Sequence, residues 1–418
     1  MTTVQYEKEY SNVLDELIDR GYYDNSTDKD ALHDLLSRES VRFYIGFDAT
    51  ADSLTVGHFI QIMVMMRMQA YGHHPIALLG GGTTMIGDPS GRSDMRMVMT
   101  EERINHNASC FYKQLQRFLD FNDGKASVLN NKDWLLSLNF LSFMREVGVH
   151  FNVGEMIKKD AYKNRLNAGG LTFFEFAYML LQSYDFLELY RREHCILQLG
   201  GSDQWANIIG GAELIRKAEN QTAYGMTFQL LTTADGVKMG KSMKGAVWLD
   251  ETKTSPYELF QYMRNVDDRD VKKFLLQLTF LPKARCEELG GYTDERINEG
   301  KEVLAYEVTR LVHGKEKADE ALETSRALFH VGQNHDNMPS TEIEVPEEGL
   351  GILAVLTAAG LTKSNGEARR LVQQGGIAID DARVEDPQSV LSKEQLTEGI
   401  VIRKGKKIYL RVTAKQAD

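Results

Sequence analysis

With 418 residues, 42% of them apolar and 26% charged, the chain has room for about two to four domains and the composition of an ordinary soluble globular protein. Its net charge of −11 argues against attraction to nucleic acid over the whole surface. The three cysteines, Cys110, Cys195 and Cys286, stand far apart without a CxxC pair, which disfavours zinc or a disulfide framework and fits a reducing compartment. The charged, amphipathic N-terminus and the lack of a long apolar run predict a cytoplasmic location with no membrane span.

Taken in chain order, the first ~35 residues read as helical, with a break at Gly21-Tyr22-Tyr23 and a polar turn over 24–30. A strand over 41–47, a helix over 56–71 that is apolar on most faces, and a strand over 75–79 then form a parallel βαβ unit. Helical patterns follow over 101–120, 139–147 and 171–192. A buried strand over 195–199, a helix over 211–218 and a strand over 226–232 lead into a basic loop. From residue 256 to about 330 the pattern is mainly helical, and 332–347, polar and aperiodic with two prolines, reads as a linker. The remainder combines helices over 350–359 and 365–374 with β segments over 376–379, 400–403 and 407–412. The fold class predicted is α/β: a Rossmann-like parallel-sheet nucleotide-binding domain, then an α-helical domain and a small C-terminal α+β domain. Residues 361–418 hold eleven Lys/Arg against eight Asp/Glu, so this tail differs in charge from the acidic body and is open to a separate partner.

Several loops carry chemistry. In "FYIGFDATADSLTVGHFI", Phe43–Ile60, a strand gives way to a loop and then a helix start. Beyond the carboxyl end of a parallel strand, the helix N-terminus offers unpaired N–H groups to phosphate. Gly57 lets a ligand lie on the backbone, and His58 is a donor for a phosphate oxygen. In "GDPSGRSDMR", Pro89 restrains Asp88 as a fixed carboxylate suited to an ammonium group, while Arg92 and Arg96, four apart, can face pyrophosphate together. In "DGVKMGKS", Lys238 and Lys241 flank Gly240 on a bendable loop suited to polyphosphate. Tyr178, Gln182 and Asp185 share one helix face amid apolar residues, where a polar ligand or internal hydrogen bonds would satisfy them. Gln198 lies within a strand, and Gly201, Asp203 and Gln204 follow at its end.

Together, "YIGFDATADSLTVGH", "GDPSG", "FFEFAYMLLQSYDF", "GGSDQW" and "KMGKS" resemble, in order and spacing, the bacterial tyrosyl-tRNA synthetases, a class I aminoacyl-tRNA synthetase family. The resemblance covers nearly the whole chain. It implies a catalytic domain over 1–245 with a dimer-forming insertion at about 125–195. It further implies an α-helical tRNA anticodon-arm domain over 246–331, the linker 332–347, and a ribosomal-protein-like RNA-binding domain over 348–418. The implied reaction joins L-tyrosine to ATP as tyrosyl-adenylate, releases pyrophosphate, and passes tyrosine to the 3′ end of tRNA(Tyr). Tyr44 and Asp185 match the pair that contacts the phenol hydroxyl. Asp88, Tyr178 and Gln182 match contacts to the ammonium, with Gln204 close by. Gly46, Asp48, Gly57, His58, Gly201, Asp203 and Lys241 match ATP or adenylate positions. Thr50, Thr55, His58, Lys238, Lys241, Arg92 and Arg96 match the groups that act on the phosphates. ATP with Mg²⁺ is expected as substrate, with no bound organic cofactor and no zinc, and the family implies a homodimer. In the tail, Arg369, Arg370, Arg403, Lys404, Lys406 and Lys407 are candidate RNA-phosphate contacts.

The chain departs from the family pattern at two positions. Thr55 replaces the usual first histidine of the His-x-Gly-His signature; its hydroxyl is shorter and never charged. Gly240 replaces the common serine of the lysine loop. Two other readings remain at this level. A tryptophanyl relative would share the signatures, although Asp185 beside Tyr44 suits a phenol better than an indole, which only donates. A non-catalytic RNA-binding protein on the same scaffold is favoured only by Thr55.

Overall fold

The computed structural model describes residues 8–88, 99–167, 170–242, 245–329, 340–380, 382–405 and 408–415. The chain divides into two compact units, one built from residues up to Thr254 with Asp267–Gly300, the other from Ser255–Val266 and from Lys301 onward.

The first unit is organised on a six-stranded sheet made of Tyr23–Ser26 (β1), Arg42–Phe47 (β2), His74–Leu79 (β3), Ser127–Asn130 (β4), Leu197–Gly201 (β5) and Tyr224–Phe228 (β6). The order is β1-β6-β5-β2-β3-β4, parallel throughout except for β1, which runs antiparallel to β6. Phe43, Tyr44, Ile45 and Phe47 of β2 are all buried, as an interior strand covered on both faces requires. From β2 the chain builds β3 and β4 on one side and β5 and β6 on the other. The crevice beyond the carboxyl ends of β2 and β5 is therefore a topological switch point, the usual place for a ligand in such a sheet.

The helix Val56–Ala70 buries ten of its fifteen residues, which accounts for its apolar character on nearly every face. One of the ten is Arg67. Its guanidinium pairs with Glu16, donates to the Thr279 carbonyl, and donates through Nε to Tyr22 Oη at 3.1 Å. A buried charge is tolerated only with such full pairing. Tyr22 Oη in turn donates to the Gln277 carbonyl. These bonds explain why 267–300, expected in the helical domain, belongs to the first unit: Val271–Leu278 presents Phe274, Leu275 and Leu278 to its interior.

Other expectations are corrected. Residues 23–26, read as a break and turn, form edge strand β1, whose partner β6 lies about two hundred residues away and is invisible to local pattern. The helix expected over 171–192 consists of Phe173–Phe176 and Tyr178–Glu193, with Ala177 between them at φ −70° and ψ −15°. The last parallel strand ends at Phe228 rather than 232, and the helix after β5 starts earlier than expected, at Trp205. The lysine loop closes in a small hairpin, Lys241–Ser242 (β7) against Gly245–Ala246 (β8).

In the second unit, the helices Pro256–Arg264 and Lys315–Phe329 are tied by Gln261 Nε2 and Arg264 Nη1, which donate to Ser325 Oγ at 3.0 and 2.7 Å. The strands of the tail are Ser340–Ile343 (β9), Leu350–Gly351 (β10), Ile377–Ile379 (β11), Ala382–Arg383 (β12), Val390–Leu391 (β13), Ile400–Lys404 (β14) and Ile408–Ala414 (β15). Five of them form a sheet in the order β12-β11-β14-β15-β9 over a core including Ile352, Val355, Leu356, Val372, Leu396, Ile402 and Val412. The expected linker is thus shorter than 332–347. Its residues 340–343 pair in parallel with β15, and 332–339 lie outside the described residues. Because a linker and an edge strand both look polar, only the pairing distinguishes them.

Candidate functional site

A cavity of about 340 Å³ opens at the switch point. It is lined by Tyr44, Gly46, Asp48 and Thr50 at the end of β2, His58 on the helix that follows, Asp88, and Tyr178, Gln182 and Asp185 from one helix face. Gly201, Asp203 and Gln204 at the end of β5, and Lys238 of the lysine loop, also line it. Thr55 and Gly57 are not in the lining. Arg92 and Arg96, and the side chain of Lys241, lie outside the described residues.

At one end of the cavity Tyr44 is buried against Phe186, with ring centroids 5.4 Å apart, and its hydroxyl has no hydrogen-bond partner among the described residues. Asp185 stands beside it and takes hydrogen bonds from Trp134 Nε1 at 2.7 Å and Asn131 Nδ2 at 2.9 Å. Burial pushes the Asp185 carboxyl up to about 7 despite these two donors, with Asp48 and Glu188 adding to the rise. Burial, and the Asp185 charge, push the Tyr44 phenol well above its ordinary value. Gln61 Oε1 and Gln198 Oε1, from two more lining residues, are also buried without a partner among the described residues. Buried polar atoms are rarely left so, and a polar ligand would satisfy them.

Along the middle, Asp48 accepts from Thr83 Oγ1 at 3.0 Å and lies 3.4 Å from Tyr178 Oη. Asn131 links Thr83 to Asp185, since its Nδ2 reaches both at 2.9 Å while its Oδ1 accepts from Gly82 N at 2.7 Å. Asp88 accepts from Gln204 Nε2 at 2.6 Å, and Gln204 Oε1 accepts from Asn207 Nδ2 at 3.1 Å. Carboxylates and amides of the lining are thus hydrogen-bonded to one another, a set suited to an amino-acid backbone.

At the other end, burial lowers the His58 imidazole to about 4, so it is neutral at pH 7. Its Nδ1 accepts from Thr55 N at 3.1 Å and lies 2.9 Å from Thr55 Oγ1. With Nδ1 accepting, the ring proton belongs on Nε2. The Thr55 hydroxyl, expected to serve the phosphates, faces His58 instead. Lys238 Nζ is 3.3 Å from Asp203 Oδ2 across the mouth.

Local pattern missed Asn131, Trp134 and Thr83. The rule that ligands gather beyond the carboxyl ends of parallel strands would have found Asn131, had β4 been recognised in Ser127–Asn130. In the tail, Arg369 and Arg370 are exposed on the helix Asn365–Gln373. Lys404, expected to meet phosphate, turns inward to the Leu361 carbonyl and Glu367, and Lys406 and Lys407 lie outside the described residues. Among the described residues no group of three or more His, Cys, Asp or Glu is arranged to hold a metal ion, and no helix is long and apolar enough to cross a membrane.

Residues 36–330 match the family model described as tRNA synthetases class I (W and Y), and residues 330–412 match that of the tyrosine–tRNA ligase SYY-like C-terminal domain. The tyrosine–tRNA ligase of Acetivibrio thermocellus is 53% identical over 405 residues, covering 96% of this chain and 99% of its own. That of Caldanaerobacter subterraneus is 54% identical over 406 residues, covering 97% and 100%. Among solved structures, a C-terminally truncated mitochondrial tyrosyl-tRNA synthetase of Aspergillus nidulans superposes with a TM-score of 0.69 at 29% identity, covering 77% of this chain and 95% of the other.

Proposed function

The chain belongs to the class I tRNA synthetases of the tryptophan and tyrosine type, and from that premise we propose how its cavity divides the work of the reaction. The activity is ATP-dependent ligation of tyrosine to tRNA. The observation that carries the assignment of the cavity is the buried Tyr44 hydroxyl, unpartnered among the described residues, beside Asp185. A substrate phenol inserted there donates to the Asp185 carboxylate and accepts from Tyr44, which satisfies both.

The ammonium group of tyrosine then lies against Asp88, Tyr178, Gln182 and Gln204. Its carboxylate is already ionised at neutral pH, so the attack on the α-phosphorus needs no general base. What the protein supplies is alignment and charge stabilisation on the departing pyrophosphate. Gly46, Gly201, Asp48 and Asp203, all in the lining, hold the nucleoside portion. His58, through Nε2–H, with Thr50, Lys238, Lys241, Arg92 and Arg96, meets the phosphates of ATP, which enters as its magnesium complex. The tyrosyl group then passes to the 3′ end of tRNA(Tyr).

Three further assignments accompany this reading. Phe140, Leu141, Val149, Phe173 and Phe174 are large apolar side chains exposed within the 125–195 region, which supports a homodimer formed there. The exposed Arg369 and Arg370 support the tail as an RNA-binding domain, with the preceding helices meeting the anticodon arm. The three free cysteines agree with a cytoplasmic location.

Amino-acid-dependent exchange of pyrophosphate into ATP tests the reading. Tyrosine supports exchange and tryptophan does not; the reverse would overturn it. Phenylalanine fails because it leaves Tyr44 and Asp185 unpaired, and tyrosyl-tRNA synthetases are themselves the source of the usual figure of about 10⁴–10⁵ for such discrimination.

A further inference from the structure

Asp185 shares its helix with a second buried carboxylate. Glu188 follows one turn later and is likewise withdrawn from solvent. Its oxygens are held from the next turn. Oε2 accepts from Arg192 through Nε and Nη2, both at 2.7 Å, and Oε1 lies 3.5 Å from Arg191 Nη1. Arg191 is also drawn outward to Glu219 at 2.7 Å, so Arg192 makes the closer pairing. The Tyr184 hydroxyl donates to Glu188 as well.

Arg192 has a second contact. Its guanidinium lies over the Trp134 ring, 5.4 Å from the centroid. This is the indole whose Nε1 donates to Asp185 Oδ1 at 2.7 Å. The contacts close a circuit. Asp185 is joined to Trp134 by a hydrogen bond, Trp134 to Arg192 by cation and ring face, Arg192 to Glu188 by an ion pair, and Glu188 to Asp185 by one turn of helix. A cation on the face of an indole is attracted to its π electrons, which fixes the ring and makes its N–H a stronger donor. The same cation offsets the Glu188 charge, which otherwise opposes a second negative charge one turn away. Both effects favour an ionised Asp185. Among the described residues, the other titratable groups that face Asp185 are Tyr44 on β2 and Asp48 just beyond it, while Asn131 and Trp134 bring neutral donors. Arg192, Glu188 and Trp134 are not in the cavity lining, so whatever they do to a ligand is done through Asp185.

We propose that Arg192 is a positioning residue for phenol recognition: from outside the cavity it holds the Trp134 indole on Asp185 and offsets the charge of Glu188, so that Asp185 meets the substrate hydroxyl as an ionised acceptor. The inference rests on the reading of Tyr44 and Asp185 as the phenol end of a tyrosine site.

The test is calorimetric titration of the full-length protein with tyrosine at a series of pH values on both sides of about 7, where burial places the Asp185 carboxyl. Wild type is compared with Arg192→Gln, Arg192→Lys and Glu188→Gln. Arg192→Gln raises the pH midpoint of tyrosine binding by about half a unit, which is about threefold weaker binding on the acid side and near wild-type affinity on the alkaline side. Glu188→Gln moves the midpoint the other way by a similar amount, so this variant binds tyrosine about threefold more tightly on the acid side. Arg192→Lys, which keeps a cation beside Glu188 and Trp134, stays nearer to wild type than Arg192→Gln does. A merely structural role for Arg192 would lower affinity by one factor at every pH with the midpoint unmoved, and that result would overturn the proposal. A wild-type midpoint in Glu188→Gln, or an Arg192→Lys midpoint as high as that of Arg192→Gln, would overturn it too, and these two variants decide the matter if Arg192→Gln does not fold. Wild-type protein whose tyrosine affinity is flat with pH would sink the reading of Asp185 itself, so the two failures are distinguishable.

Discussion

Trp134 Nε1 donates to Asp185 Oδ1 at 2.7 Å, across 51 positions in the chain, and so supports the carboxylate beside Tyr44, the end of the cavity proposed for the phenol. Burial nevertheless holds that carboxyl at about 7. A group whose folded-state value lies above its ordinary 3.8 binds its proton more tightly in the native state, so this site loses stability as pH rises through the interval from 3.8 to about 7. Tyrosine binding runs the other way, because a phenol donor selects the ionised carboxylate. Tyrosine affinity is expected to be about tenfold weaker at pH 6 than at pH 8, as a single group titrating near 7 dictates. Trp134→Phe, which removes one donor, shifts the midpoint upward. Calorimetric titration with tyrosine across this range measures both, and an affinity flat with pH contradicts the assignment.

Lys238 reaches Asp203 across the cavity mouth at 3.3 Å, far from Tyr44 and Asp185 in role. Lys238→Ala is expected to lower the rate of pyrophosphate exchange by at least about tenfold, the scale of one charge withdrawn from the transition state. The tyrosine dissociation constant, measured separately, stays within about twofold. Lost tyrosine affinity with normal turnover would refute the phosphate role.

Phe140 and Leu141 are 63% and 71% exposed, too apolar a pair to face water comfortably. Sedimentation velocity is expected to give a dimer for the wild type and a monomer for Leu141→Asp, because a carboxylate buried in an apolar interface lacks a partner. A Leu141→Asp protein that sediments as the dimer would move the interface elsewhere.

Arg369 and Arg370 lie exposed on the helix Asn365–Gln373, whereas Lys404 is engaged within the tail. Replacing both arginines by alanine should leave exchange intact and weaken tRNA binding, with the salt dependence shallower by roughly one unit for each RNA phosphate that is no longer neutralised. Lys404→Ala instead lowers the stability of the tail, read by thermal melting. Equal salt slopes for wild type and the double-arginine variant would take these residues out of the RNA interface.

Much of this molecule is determined locally. The spacing of Tyr178, Gln182 and Asp185 selects one helix face, and the alternation of buried strands and helices selects the parallel sheet. The loops at Asp48, His58 and Gln204 sit beyond strand ends, where such a sheet collects ligands. These features depend on residues within a turn or a strand of each other, so the sequence alone determines them. Tertiary structure decided the rest. Tyr23–Ser26 became a strand only because β6 lay alongside, and Ser340–Ile343 did so only because β15 did. Asn131 and Trp134 joined the site because packing carried them to Asp185. Thr55 looked like a shortened phosphate ligand until the folded chain turned its hydroxyl toward His58 and set Gly240 against Gly57. Local sequence encodes which face a residue occupies and where an element ends. Partners distant in the chain are chosen by packing and by the pairing that burial imposes on polar groups, and no local pattern records that choice.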